Sequence, residues 1–268
     1  MPTVSGGYNS QEGRHKMDFQ VGDVVNRTFG AISRNFVTFF LLSGLLVGVP
    51  ALIIGYAQIG MITGGSGMLA LLGVAFIVNL ATTYLLQGAL IHGAILDFNG
   101  QRASFGDCLS TGLKHTLPLI AIAILMGLGV MLGMLLLIIP GIILSIMWAV
   151  AIPARVVENT GITESLSRSS ELTQNNRWKI FGLFIIYLVI ATVITMIVML
   201  PLGAFGANAP AESEPFGIAQ ASIAAVLFDV VATVLTAVVG AAGVSAIYFE
   251  LRKAKEGVGA ETLAKVFE

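Results

Sequence analysis

Charge is scarce in this chain: Lys and Arg number 14 and Asp and Glu 15 among 268 residues, for a formal net charge of -1. No whole-molecule field would recruit nucleic acid or steer an acidic substrate. Cys108 is the single cysteine, which excludes an internal disulfide and any multi-cysteine zinc or iron–sulfur site. Its expected place is in packing, as a small apolar residue. Catalytic signatures are missing as well: there is no HExxH, GxSxG or GxxxxGK(S/T), and His92 and His115 lack partners at ligand spacing. Asp97, Asp107 and Glu158 are acids at one interface, but their spacing fits solvated helix ends as well as a metal site. The expectation is a protein that is not an enzyme, with no catalytic residues, no cofactor and no metal.

What the chain has instead is apolar sequence, 56% of all residues, in long runs that recur from end to end. Water would not keep such a chain dispersed. The runs are too long and continuous for tilted barrel strands, which need about ten residues each and alternate apolar with polar. Helices remain, since they satisfy every backbone group within one segment. Six spans are expected, over residues 36–60, 68–96, 117–139, 141–157, 179–202 and 220–249. Each can cross about 30 Å of hydrocarbon, the fourth only just.

The few charges are distributed asymmetrically. The connection 61–67 has none, Pro140-Gly141 reads as a bare turn, and 203–219 carries only Glu212 and Glu214. All 14 Lys and Arg fall in the alternate connections and the termini, among them Arg27 and Arg34, Arg102 and Lys114, Arg155, Arg168, Arg177 and Lys179, then Arg252, Lys253, Lys255 and Lys265. The positive-inside rule places that side, with both termini, in the cytoplasm. Residues 1–17 lack periodicity and read as a disordered tail, and 258–268 as a cytoplasmic tail, flanking one membrane domain over 18–257. The first apolar run starts only at Phe36, a poor match to a cleaved leader.

Each cytoplasmic connection precedes an outward span with a short amphipathic stretch, so the chain reads as three helix-plus-hairpin units. The interfacial helices are expected over 20–35, 104–116 and 162–175. In the first, Val21, Val25, Thr28, Phe29, Ile32 and Phe36 form the apolar stripe. In the second the stripe is Phe105, Cys108, Leu109, Gly112, Leu113 and Leu117, with Ser104 and Asp107 as a capping box. In the third, Ile162, Leu166, Ser169, Leu172 and Thr173 oppose a face on which Glu164 and Arg168 are ordered for an i,i+4 pair. Such helices suit the headgroup layer and anionic lipid, and equally suit capping the bundle.

Polar residues inside spans are the places to seek function. Counting inward from Asp97 at about 1.5 Å per residue puts His92 shallow, Gln87 near the midplane and Asn79 near the outer interface. Gln87, with Tyr84 and Thr83 nearby, suits either a pore lining or an interhelical hydrogen bond. The helical companions of His92 are apolar or Gly88, which favours packing over a metal or proton role. Asp229 is the one acid in the last run, but lies about 28 Å from Tyr248 along the helix, close to the outer headgroups. Gly44 and Gly48, Gly129 and Gly133, and Gly240 with Ala237 and Ala241 have the small-residue spacing of close helix packing. Pro50 and Pro153 are candidate kinks.

The turn Ile138-Ile139-Pro140-Gly141-Ile142, the stretch Ala151–Glu158 (AIPARVVE) and the helix bearing Leu166, Arg168, Ser169, Leu172 and Thr173 resemble bacterial proteins related to the membrane domain of glycerophosphoryl diester phosphodiesterase. Tyr248-Phe249-Glu250-Leu251-Arg252 followed by Glu256-Gly257 is similar to that family's Tyr-x-Asp-Leu-Arg and Glu-Gly signature, with Glu250 in place of the usual Asp. The segment 21–36 is similar to its first helix. In members with phosphodiesterase activity the catalysis belongs to a separate (β/α)₈ domain of about 250 residues, for which this chain has no room. The resemblance thus implies a stand-alone membrane module in a bacterial plasma (inner) membrane. Physically, Tyr248 and Arg252 are expected to anchor the last span among headgroups, with Glu250 paired to Arg252, Lys253 or Arg155.

The functional expectation is a non-enzymatic accessory or scaffold module in lipid or envelope processes, with a transporter or channel for a small or lipidic solute as the alternative. Its expected partners are the bilayer, including anionic headgroups, and protein partners or further copies of itself, with no nucleic acid.

Overall fold

The computed structural model describes residues 19–62, 68–206 and 223–257, and every regular element among them is a helix. The expected tails 1–17 and 258–268, the start of the sixth span at Gln220, and Glu212 and Glu214 lie outside the described residues. Six stretches are long and apolar enough to cross a membrane: Phe36–Ala57, Ala70–Phe98, Phe105–Leu136, Ile138–Glu158, Arg177–Leu200 and Ala225–Glu256. The protein is an all-α polytopic membrane bundle.

In the first unit, α1 (Val21–Arg34) stops at Asn35, whose φ of -114° and ψ of 26° leave the helix and whose side chain donates to Ala31 O at 3.1 Å. The span then runs as α2 (Phe36–Ser43), a π-helical turn (Gly44–Gly48) and α3 (Val49–Ile62). Pro50 has no N–H for the carbonyl four residues back, and the wider turn just before it absorbs that loss. The return helix is α4 (Met68–Phe98). The buried line of α1 is Val24, Thr28 and Ala31, rotated from the expected stripe, so that Phe29 and Phe36 look outward. These smaller side chains let α1 lie close against the last helix.

The second unit departs from expectation in three places. No interfacial helix separates at 104–116, because α5 (Phe105–Leu136) runs unbroken through Pro118 into the span, burying Cys108, Gly112, His115 and Leu119 while Leu113 and Leu117 face outward. Ser104 is the N-cap but its side chain makes no capping bond, so the expected box does not form. The outer turn is at Leu137, in extended conformation, and Pro140 falls instead in the first turn of α6 (Ile138–Met147), where a missing N–H costs nothing. The backbone leaves the helix again at 148–150, and α7 (Ala151–Glu158) completes a jointed fourth span with Pro153 in its own first turn.

The third unit begins with α8 (Ile162–Thr173), where the Glu164 carboxylate accepts from the Gly161 N–H at 2.8 Å instead of pairing with Arg168. Asn175, at φ 71°, breaks the chain before α9 (Arg177–Gly206). The final helix is α10 (Ile223–Glu256), closed by Gly257 at φ 65° with its N–H on Lys253 O at 3.0 Å, a position that glycine occupies without strain.

α10 is the hub, packed against α1, α4 and α9, while α4 packs along α5. The α4–α5 crossing is tight because a Cβ on Gly112 would stand 2.5 Å from Leu85 O and one on Gly88 3.2 Å from Gly112 Cα. In lipid such contact replaces water exclusion as the force between helices. Burial is concentrated at one end: from Leu85 to Phe98 in α4, and from Val238 to Leu251 in α10, most residues are buried, whereas the opposite half of α4 is largely exposed and that of α10 mostly half-buried.

Candidate functional site

Two arrangements stand out, an ionic cluster at the tightly packed end and a cavity deeper in the bundle. The cluster gathers residues that the sequence scatters. The Arg168 guanidinium donates to both carboxylate oxygens of Glu158 (3.1 and 2.9 Å) and reaches Glu256. Tyr248 donates its hydroxyl to Glu158 at 2.7 Å, and Arg252 donates to Glu256 at 2.8 Å and to the Tyr248 oxygen at 3.3 Å. Burial disfavours the Arg168 cation, but its hydrogen bonds to Glu158 and Glu256 outweigh that and hold its pKa above the ordinary value. These ties join α7, α8 and α10.

A second group fixes α1. Arg27 forms an ion pair with Glu250 and lies over the Phe249 ring at 4.5 Å. Arg34 donates to the buried Asp97 at 2.9 Å, a bond that raises the arginine's pKa, and Asn35 donates to the same carboxylate at 2.8 Å. Asp97 is therefore satisfied by α1 at the end of α4.

This geometry revises the expectation for the last helix. Tyr248 is fully buried and donates to Glu158, and Arg252 pairs with Glu256 one turn along the same helix. Glu250 is buried too, with Arg27 as its principal partner and Lys253 at 3.9 Å, not Arg252 or Arg155.

The joint at 148–150 explains two polar residues of α8. A broken helix frees backbone groups that lipid cannot satisfy. Ser169 is fully buried and donates to Met147 O at 2.8 Å while accepting from Val150 N–H at 3.2 Å; Thr173 adds a bond to Met147 O at 3.3 Å. Periodicity alone had put both on an apolar face, and only the break at 148–150, known to be there, would have revealed their task.

The cavity, of about 490 Å³, lies between α4 and α9 and is backed by α10, with Val24, Val25 and Phe29 of α1 at its inner end. It exists because α9 and α4 both pack on α10 and leave a gap between them. Its walls are mainly aliphatic, and among the described residues no Lys, Arg, Asp, Glu or His lines it. Asn79, Thr83 and Gln87 follow one another at four-residue spacing along α4, facing Tyr187 of α9 and Thr236 of α10. Gln87 Oε1 is buried and has no hydrogen-bond partner.

Of the three polar span residues singled out in the sequence, Gln87 alone lines this space. His92 is buried on α4 and Asp229 is exposed on α10, and neither lines the cavity, so the three do not converge. Among the described residues no group of three or more His, Cys, Asp or Glu is close enough to hold a metal ion.

No curated protein and no solved structure gives a significant match to this chain. Residues 119–260, which contain the jointed fourth span, α8 and the whole Arg168–Glu158–Tyr248–Arg252–Glu256 cluster, match the family described as the membrane domain of glycerophosphoryl diester phosphodiesterase, and the chain belongs to that family.

Proposed function

We propose that this protein is a non-enzymatic module of the bacterial inner membrane, with both termini in the cytoplasm, that holds a lipidic molecule in its intramembrane cavity as an accessory to lipid or envelope processes. The observation that carries this reading is the charge-free cavity of about 490 Å³, within the range of about 300–1,000 Å³ usual for small-molecule sites. Its walls suit an acyl chain, and a gap between two membrane helices is open to guests from the bilayer. The orientation follows from the basic residues being gathered at one side. Bilayer contact includes anionic headgroups at exposed Arg102 and Arg34.

The test is retention of native lipid. Protein extracted in mild detergent is expected to carry lipid that mass spectrometry detects, and Ala237→Trp, which fills the cavity from α10, is expected to lose most of it. Equal retention by both proteins would remove the reading. Hydrolysis of a glycerophosphodiester by the purified chain would overturn its non-enzymatic character, and labelling of a cysteine at position 102 from outside intact cells would overturn its orientation.

The polar stripe Asn79, Thr83 and Gln87 favours a second reading, movement of a lipidic solute along α4. Reconstituted vesicles with flux that Gln87→Leu abolishes would support it; no flux would leave binding alone.

A further inference from the structure

We infer that the cavity holds one ester-linked acyl chain of a bilayer glycerolipid, with the ester carbonyl at the level of Thr83 and Thr233 and the hydrocarbon tail running inward to α1. The inference rests on the reading of the cavity as a lipid site and adds the guest's linkage and direction.

The first observation is a set of unused hydrogens. Thr82 returns its hydroxyl to Val78 O at 2.9 Å and Thr236 to Ala232 O at 2.9 Å, the usual way for a helical threonine to satisfy itself. Thr83 and Thr233, both on the cavity wall, make no such bond, and the side-chain amides of Asn79 and Gln87 on the same wall donate to no protein group. A donor left unanswered among hydrocarbon costs free energy, and a guest of hydrocarbon alone would answer none of these. An ester carbonyl brings two lone pairs and no hydrogen of its own, so it accepts from two of them at once.

The second observation is where they stand. The rings of Phe98 and Phe249 meet at 5.3 Å, which puts the ionic ends of α4 and α10 at one level. Counted back at about 1.5 Å per residue, Thr83 lies about 22 Å from Phe98 and Thr233 about 24 Å from Phe249, so the two hydroxyls share a layer on two walls. Asn79 is one turn further out and Gln87 one turn further in. Toward the ionic end the lining becomes apolar, with Leu90, Ile91, Phe184, Ile247 and Val24, and Thr28 there is committed to Val24 O at 2.7 Å. A space with donors in its outer part and aliphatic walls inward matches an ester followed by its chain. With the ionic end in the cytoplasm, that guest is a lipid of the outer leaflet. Its charged headgroup stays beyond Asn79, because among the described residues no Lys, Arg, Asp, Glu or His lines the cavity to neutralise it.

The experiment uses the full chain in nanodiscs of phosphatidylcholine with a trace of photoreactive phosphatidylcholine, ester-linked or alkyl-ether-linked, its diazirine either at the chain end or beside the linkage. Adducts are mapped by peptide mass spectrometry, with the outward face of α5 as the bulk-lipid reference. Chain-end probes are expected to label α1 and the Leu90–Ile91 turn, and linkage-side probes the turns holding Thr83 and Thr233. Because an ether oxygen is the weaker acceptor, cavity labelling by the ester is expected to exceed that by the ether about three- to tenfold, the range of one net hydrogen bond. The paired variant Thr83→Val and Thr233→Val, close in shape and without hydroxyls, is expected to label with ester and ether alike. Equal labelling in the wild type would overturn the role of the ester while leaving the cavity as a chain-binding site. Chain-end adducts near Thr83 in place of α1 would overturn the direction, and an ester preference that survives in the paired variant would overturn the two threonines as its source. Cavity peptides labelled no more than the α5 reference would sink both this inference and the reading beneath it. The ester-to-ether ratio in wild-type protein does not depend on any variant folding.

Discussion

The two ends of this bundle are built on different principles. At the end where α1, α7, α8 and α10 meet, Glu158, Arg168, Glu250, Asp97 and their partners are held by short charge-assisted bonds, and the adjoining turns of α4 and α10 are buried. At the other end α4 is mostly exposed and α10 mostly half-buried, and beyond Phe184 α9 turns many of its Ile, Leu and Val side chains outward. Polar bonds with directional geometry specify a single arrangement, whereas apolar helices in lipid gain little from choosing one neighbour over another. The ionic end is where directional bonds specify the fold.

Mutations at the two ends should therefore differ in kind. Glu158→Leu removes the acceptor shared by Arg168 and Tyr248 and leaves a half-buried guanidinium with Glu256 alone; a loss of about 2–3 kcal/mol is expected, read as a large fall in the thermal midpoint in detergent. Ser169→Ala is next, since it strands Val150 N–H and weakens the cover of Met147 O, at about 2 kcal/mol by the same measurement, with Ser169→Thr recovering part of it. Gly112→Val presses on Leu85 O and should cost about 1–3 kcal/mol through overpacking, and cross-linking between positions on α4 and α5 should register their separation. Tyr248→Phe gives up one bond to a carboxylate that keeps Arg168, about 1 kcal/mol. Asp229→Asn, on the exposed side of the apolar end, should lie within about 0.5 kcal/mol of wild type. An Asp229 variant as damaging as the Glu158 variant would erase the contrast between the ends.

Much of the architecture was legible because membrane physics is coarse. Twenty apolar residues between charged connections mean a crossing whatever the neighbours do, and each of the six expected crossings corresponds to an apolar stretch in the structure. The interruptions were harder. Pro140 and Pro153 read as a turn and a kink but sit harmlessly in first helical turns, and the breaks at Leu137 and 148–150 carry no residue that forbids a helix. The second amphipathic stretch could not be told from the start of a span, since nothing at 116–119 stops the helix; Asn35 and Asn175 do so in the other two units. The ionic partners were least visible. Arg27 and Glu250 are 223 residues apart, and periodicity has no reach across that distance. Depth did carry information: Asp97 and Arg34, near the ends of α4 and α1, meet at one level.

The joint in the fourth span has a consequence for biosynthesis. Ser169, which covers the Met147 carbonyl, lies 22 residues further along the chain. A chain made from its N-terminus thus reaches the end of its second hairpin with that carbonyl uncovered, and water or the insertion machinery must attend to it until α8 emerges. The second hairpin is completed by the first helix of the third, so a truncation between them would leave a segment that is apolar enough to insert yet unable to settle.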